Sequence, residues 1–210
     1  MPIHSIVPVH TLIFSVVLLA LAGAECPKGA DHFQTRGDLR GACAVTFDGD
    51  AFLVCSPEAR PAEGAPAWSA PQLSRWTVKD GICSQLTAEI GFAADVDVSS
   101  TGVIAVADRA GAVLLIEPGG ATRTRIGFEW LRSPSGVAWR GSDLVVSDSG
   151  LGAIFVVDQL GRELQRVGAG VLRDPQGLDV AADGSVYVAD RLANCLWHFP
   201  VTENGRLADT

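Results

Sequence analysis

Three stretches of this chain repeat one another, and no other feature limits its possible folds so tightly. Residues 94–116 read ADVDVSSTGVIAVADRAGAVLLI, residues 134–157 read PSGVAWRGSDLVVSDSGLGAIFVV, and residues 175–199 read PQGLDVAADGSVYVADRLANCLWHF. Each holds an apolar strand, a Gly-containing tight turn, a second strand ending in Asp, a small-residue turn and a third apolar strand. The closing aspartates, Asp108, Asp148 and Asp190, lie 40 and then 42 residues apart. Gly120, Gly161 and Gly205 then open a fourth, more polar strand. A weaker first copy runs through Val45-Thr46-Phe47, the turn Asp48-Gly49-Asp50 and the strand from Phe52 to Ser56. Its third strand falls near Trp76, after an insertion over residues 57–71 that is rich in Pro, Ala and Gly.

A fixed period of this size decides the architecture before any motif does. The second strands run apolar over four to five residues, as strands buried on both faces must. The Gly turns supply the positive φ that tight hairpins require. Four short antiparallel strands cannot bury both faces alone, whereas radial stacking lets each sheet cover its neighbour. The repeats are rich in Val, Gly and Asp and lack apolar spacings of three and four, which excludes a helical solenoid. The expectation is an all-β chain, a β-propeller of four-stranded antiparallel blades. About four blades are present, near residues 43–90, 91–127, 128–168 and 169–210.

Pro-x-Gly, a DG turn, Val186-Tyr187-Val188-Ala189-Asp190 and an aromatic third strand resemble NHL repeats, most closely over residues 175–199. The same stretch, continued through Leu207, is also similar to propellers of the SMP-30/gluconolactonase kind. The resemblance spans roughly residues 43–207 and implies a six-bladed, TolB-like shape, of which four copies make an incomplete ring. A piece of a longer protein, association of two chains, or a tight four-bladed closure would each resolve the open flanks. Propellers of this type serve as binding, sensing and enzymatic scaffolds alike, so the fold does not choose the function.

A lactonase of the resembled kind holds a divalent metal, such as Ca²⁺, on oxygen ligands near the central channel. It presents Asn or Asp between Pro and Gly at the entry to an inner strand. Ser135 and Gln176 stand at those positions here, uncharged and poor anchors for a hard cation. Glu63 echoes an acidic ligand but lies inside the insertion. Asp97 and Asp179 occupy equivalent places in two inner strands, facing the channel or capping a neighbouring backbone donor. Asp108, Asp148 and Asp190 recur in every clear copy, which suits acceptance of turn N–H groups better than catalysis. Only His32 and His198 lie beyond the N-terminal apolar run, too few for a three-histidine zinc site. No G-x-S-x-G elbow, P-loop or dinucleotide fingerprint occurs. Trp76, Phe155 and Trp197 match one another in the third strands and read as packing between blades. Trp139 joins them as a possible stacking platform, whereas Trp130 fits no repeat position and reads as a surface contact residue. No catalytic residue and no cofactor is expected; a divalent metal belongs only to the alternative of an SMP-30-like or strictosidine-synthase-like hydrolase, degenerate or truncated.

The N-terminus carries a different signal. Residues 12–21 (LIFSVVLLAL) are almost wholly apolar and precede Ala22-Gly23-Ala24. This run is shorter than a membrane span needs and reads as a signal peptide over residues 1–24, with the mature domain over 25–210. No Lys or Arg precedes it, and a membrane contact follows only if it stays uncleaved. Export implies a secreted or periplasmic protein. It also favours bridges among Cys26, Cys43, Cys55 and Cys83, with Cys195 left over. A net charge of −8 without clustered basic residues in sequence excludes nucleic acid as a partner. The reading that results is an exported binding module that takes a protein, glycan or small-molecule ligand on its loop face.

Overall fold

The computed structural model describes residues 43–49, 51–56, 72–77, 83–86, 90–119 and 121–209. The predicted signal segment, Cys26, His32 and Glu63 lie outside the described residues, as do the side chains of Trp76 and Cys83. The strands are β1 (Ala44–Asp48), β2 (Ala51–Ser56), β3 (Gln72–Thr77), β4 (Cys83–Leu86), β5 (Ala93–Val98), β6 (Ile104–Asp108), β7 (Ala112–Ile116) and β8 (Thr122–Ile126). They continue as β9 (Pro134–Arg140), β10 (Asp143–Asp148), β11 (Ala153–Val157), β12 (Glu163–Val167), β13 (Pro175–Val180), β14 (Val186–Asp190) and β15 (Cys195–Phe199). They pair only with sequence neighbours, in four antiparallel sheets: β1–β4, β5–β8, β9–β12 and the three-stranded β13–β15. These are blades I to IV. Blade IV gains a short fourth edge where Val201 bridges Leu207.

Register makes the blades superimposable. Counted back from the last residue of each second strand, the third residue pairs with Thr46 in β1, Asp97 in β5, Ala138 in β9 and Asp179 in β13. Asp95 and Gly136 occupy one further shared position, opposite Ala107 and Ser147.

Packing runs between blades and not within them. Leu53, Leu73, Val96, Ile104 and Leu114 fill the seam between blades I and II. Ala105, Val113, Leu115, Val137, Leu144 and Phe155 fill that between II and III, and Val145, Ile154, Val186, Val188 and Phe199 that between III and IV. Every residue of β6, β7 and β11 is therefore buried. Each large side chain enclosed this way stabilises the stack by about 1.5–3 kcal/mol. Strand β14 departs from this pattern, alternating between buried and exposed, because the described residues pack on only one face of blade IV. Among the described residues, no strand of blade I packs extensively on blade IV.

The expected cysteine bridges are not seen among the described residues. Cys43, Cys55 and Cys195 carry free thiols. The Cys43 thiol donates to the Ala93 carbonyl across the first seam at 3.2 Å, and Cys55 is buried in the core of that seam.

Candidate functional site: an inner channel and an arginine-bearing loop face

The inner strands β1, β5, β9 and β13 curve around a cavity of about 550 Å³ lined by Cys43, Thr46, Asp95, Asp97, Trp139 and Asp179 among others. Alternation along β5 directs both of its aspartates to this side. Asp95 accepts the N–H of Val96 on its own strand and that of Val137 on β9, both at 3.0 Å. Asp97 accepts the Val98 N–H at 2.8 Å, the Trp139 N–H at 2.8 Å and the Thr46 hydroxyl at 3.3 Å. These carboxylates thus tie the edge of one inner strand to the edge of the next. Among the described residues, Asp179 accepts only the Val180 N–H, at 2.8 Å, and is exposed.

Burial pushes the Asp95 carboxyl up to about 7, against the N–H groups of Val137 and Val96 and with added repulsion from Asp97 and Asp179. Asp97 is raised for the same first reason, opposed by the Trp139 and Val98 N–H groups and the Thr46 hydroxyl. Asp95 was not singled out in the sequence. The signal for it was a departure: Ala93-Ala94-Asp95 stands where the next two copies read Pro-Ser-Gly and Pro-Gln-Gly. Among the described residues, no group of three or more His, Cys, Asp or Glu side chains is placed to hold a metal ion.

The loop face lies at the other end of the hydrogen-bonding scheme, where the second strands stop. Asp148 accepts the N–H groups of Arg132 and Ser133, which lead into β9, and those of Gly150 and Leu151 in the following turn. Asp108 does the same for Gly91, Phe92 and Ala110, and Asp190 for Arg173, Asp174 and Ala193. The Asp190 carboxyl is held below the usual range: burial works to raise it, and the N–H groups of Arg173, Ala193, Asp174 and Leu192 outweigh burial.

Ser135 and Gln176 do not meet at an open site. Ser135 is buried and donates to the Pro175 carbonyl at 2.6 Å, joining blade III to blade IV, while the Ser147 hydroxyl donates to the Gln176 carbonyl. The Gln176 side chain accepts from Arg109 at 2.7 Å and donates to Asp174 at 2.6 Å, and Asp174 in turn pairs with Arg191. Trp130 is half-buried, with its ring 5.0 Å from Phe155. The exposed aromatics of this face are Phe128 and Phe92, at 66% and 47%.

Four arginines share the loop face by repeat position. Arg109 and Arg191 each follow a second-strand aspartate, and Arg132 and Arg173 each donate their N–H to one. The opposite end carries Asp48, Asp143, Asp158 and Asp183 near its hairpin turns. The loop-face arginines stand among acidic groups, Arg191 pairing with Asp174, while Arg140 and Arg162 lie among the aspartates of the opposite end.

Comparison with known proteins agrees with this architecture. Residues 172–199 match the NHL repeat family. No curated protein matches the chain. Among solved structures, the computationally designed Ika4 protein superimposes with a TM-score of 0.60 at 12% identity, over 80% of this chain and 96% of that one. A catalytically inactive virginiamycin B lyase from Staphylococcus aureus, solved with quinupristin, gives a TM-score of 0.61 at 14% identity over 80% of this chain. U3-55K gives 0.56 at 16% identity over 83% of this chain. The present chain spans 54% of the lyase and 55% of U3-55K, about half of each. These likenesses concern the fold alone. The chain is a β-propeller in architecture, with four blades among the described residues, the last of which carries the match to the NHL repeat.

Proposed function

We propose that this chain is an exported, non-catalytic propeller module that binds an acidic protein segment through its loop face. The observation that carries the reading is that Arg109, Arg132, Arg173 and Arg191 lie at the same end of the blades, where Phe92 and Phe128 expose their rings. Arginine and aromatic side chains are the groups that interface centres favour. A protein segment suits this pairing because its carboxylates meet the guanidinium groups while its apolar side chains meet the rings. Ser135 and Gln176 are engaged within the protein, which favours binding over metal-assisted lactone hydrolysis. Export rests on the apolar run at residues 12–21 and the small residues after it.

Selection of displayed random peptides on the purified chain tests this directly. Enriched peptides should be rich in Asp and Glu with an apolar residue nearby, and their binding should weaken steeply with salt. The pair Arg132→Glu and Arg173→Glu should reduce it at least tenfold, since it reverses charge without touching the N–H groups that Asp148 and Asp190 accept. Neutral or basic peptides, or binding indifferent to the pair, would contradict the assignment.

A further inference from the structure

We infer that Arg109 takes a carboxylate of the bound acidic segment, that Gln176 is the positioning residue that presets it, and that Phe92 receives the adjoining apolar side chain. This rests on the loop-face reading above and names which of its residues do the binding.

Three equivalent backbone pairs stand where the blades open onto this face. The N–H of Arg109 donates to the Phe92 carbonyl at 2.9 Å, that of Ser149 to the Ser133 carbonyl at 3.0 Å, and that of Arg191 to the Asp174 carbonyl at 3.0 Å. The same pair is thus phenylalanine with arginine in blade II, two serines in blade III, and aspartate with arginine in blade IV. Among these three, only the blade II pair sets an exposed ring, Phe92, beside a guanidinium.

The loop-face arginines differ in what their side chains already hold. The Arg191 Nε lies 2.6 Å from the Asp174 carboxylate, which offsets its charge. Arg132 and Arg173 are exposed, and side chains of that kind lose rotamer freedom when they bind. Arg109 is half-buried and donates to the Gln176 amide oxygen at 2.7 Å, reaching from blade II to the start of β13. That acceptor is neutral, so it fixes the guanidinium without cancelling its charge. The amide is itself fixed: Gln176 Nε2 donates to Asp174 at 2.6 Å, and Asp174 is buried. An ionised carboxylate only accepts, so Asp174 draws the amide nitrogen to itself and leaves the amide oxygen for Arg109. An arginine held in this way loses less freedom on binding, and its fork keeps further donors for a carboxylate.

The probe is a short synthetic peptide of glutamates around one phenylalanine, blocked at both ends and titrated into the full chain by calorimetry. Arg109→Ala should weaken its binding at least tenfold and Gln176→Met about three- to tenfold. Gln176→Glu, which hands Arg109 a carboxylate inside the protein, should cost at least tenfold. Phe92→Ala should erase the preference for this peptide over its counterpart with alanine in place of phenylalanine. In the Arg109→Ala background Gln176→Met should have no further effect, whereas a merely structural role would weaken binding in both backgrounds. Arg162→Ala, at the opposite end, should bind as the parent does. A parent that fails to bind the peptide overturns the loop-face reading and this inference with it. Salt-sensitive binding that is indifferent to Arg109→Ala, or in which the effects at Arg109 and Gln176 simply add, leaves that reading standing and overturns this inference.

Discussion

Six aspartates recur at two levels of the blades, and the two sets live under opposite conditions. Asp108, Asp148 and Asp190 close the second strands and are almost wholly enclosed, at 0%, 0% and 2% exposure. Asp95, Asp97 and Asp179 line the inner channel and are less enclosed. Burial alone would raise Asp190 at least as much as Asp95. Asp190 is instead held below the ordinary range by the N–H groups of Arg173, Ala193, Asp174 and Leu192, whereas Asp95 receives only those of Val137 and Val96 and is raised. The number of donors, and not depth, decides whether a buried carboxylate stays charged. The first set is therefore part of the fold's wiring, and the second is a row of partly committed groups along a cavity and a joint.

The largest effect that tests this division is expected at Asp148. Asp148→Ala leaves the N–H groups of Arg132, Ser133, Gly150 and Leu151 without their acceptor inside the protein. A loss of about 4 kcal/mol in urea unfolding is predicted, near the upper end for single substitutions. A loss below about 1 kcal/mol would place Asp148 with the channel set.

A somewhat smaller loss is expected where blades III and IV meet. That joint is made by hydroxyls donating to carbonyls, the opposite polarity to the carboxylates that join II and III. It depends on close backbone approach: a Cβ at Gly136 would lie 2.6 Å from the Gln176 carbonyl oxygen and 2.7 Å from the Ser147 hydroxyl. Gly136→Ala should cost about 2–3 kcal/mol by overpacking, read from the same unfolding curves. Asp95 occupies the equivalent place on blade II, so this substitution also shows how differently two equivalent positions are used.

The smallest effect concerns pH. The native Asp95 carboxyl is raised above its ordinary value near 3.9, so the unfolded chain releases its proton first as pH rises. Between about pH 4 and about pH 7 the native state binds more protons, and stability falls with rising pH. Asp95→Asn should remove about 1–2 kcal/mol of that fall, a magnitude kept modest because the side chain is only half-buried. An unchanged slope in denaturation series across this window would assign the fall to other groups.

Much of the fold was legible in the sequence, for a physical reason. A strand–turn–strand unit repeated every 40 or so residues carries its own turn glycines and its own closing aspartate, all local demands. The relations between blades were not legible. Asp95 escaped notice because its meaning depends on the β9 N–H groups more than 40 residues away. Ser135 looked like a weak channel ligand until the neighbouring carbonyl of Pro175 was seen beside it. Trp130 read as a surface residue because it fits no repeat position. The N–H groups of Trp130 and Leu131 both close on the Gly127 carbonyl, and that turn carries Trp130 onto Phe155 and leaves Phe128 outside. The loop-face arginines are scattered in sequence and come to one end of the molecule only when the repeats stack.

The division between the two sets of aspartates is tested most directly by carbon-13 NMR titration of the individual carboxyl groups. Asp95 is predicted to titrate near 7 and Asp190 below the ordinary carboxylate range, in one sample and one experiment. Asp95 and Asp190 titrating together near 4 would contradict the account.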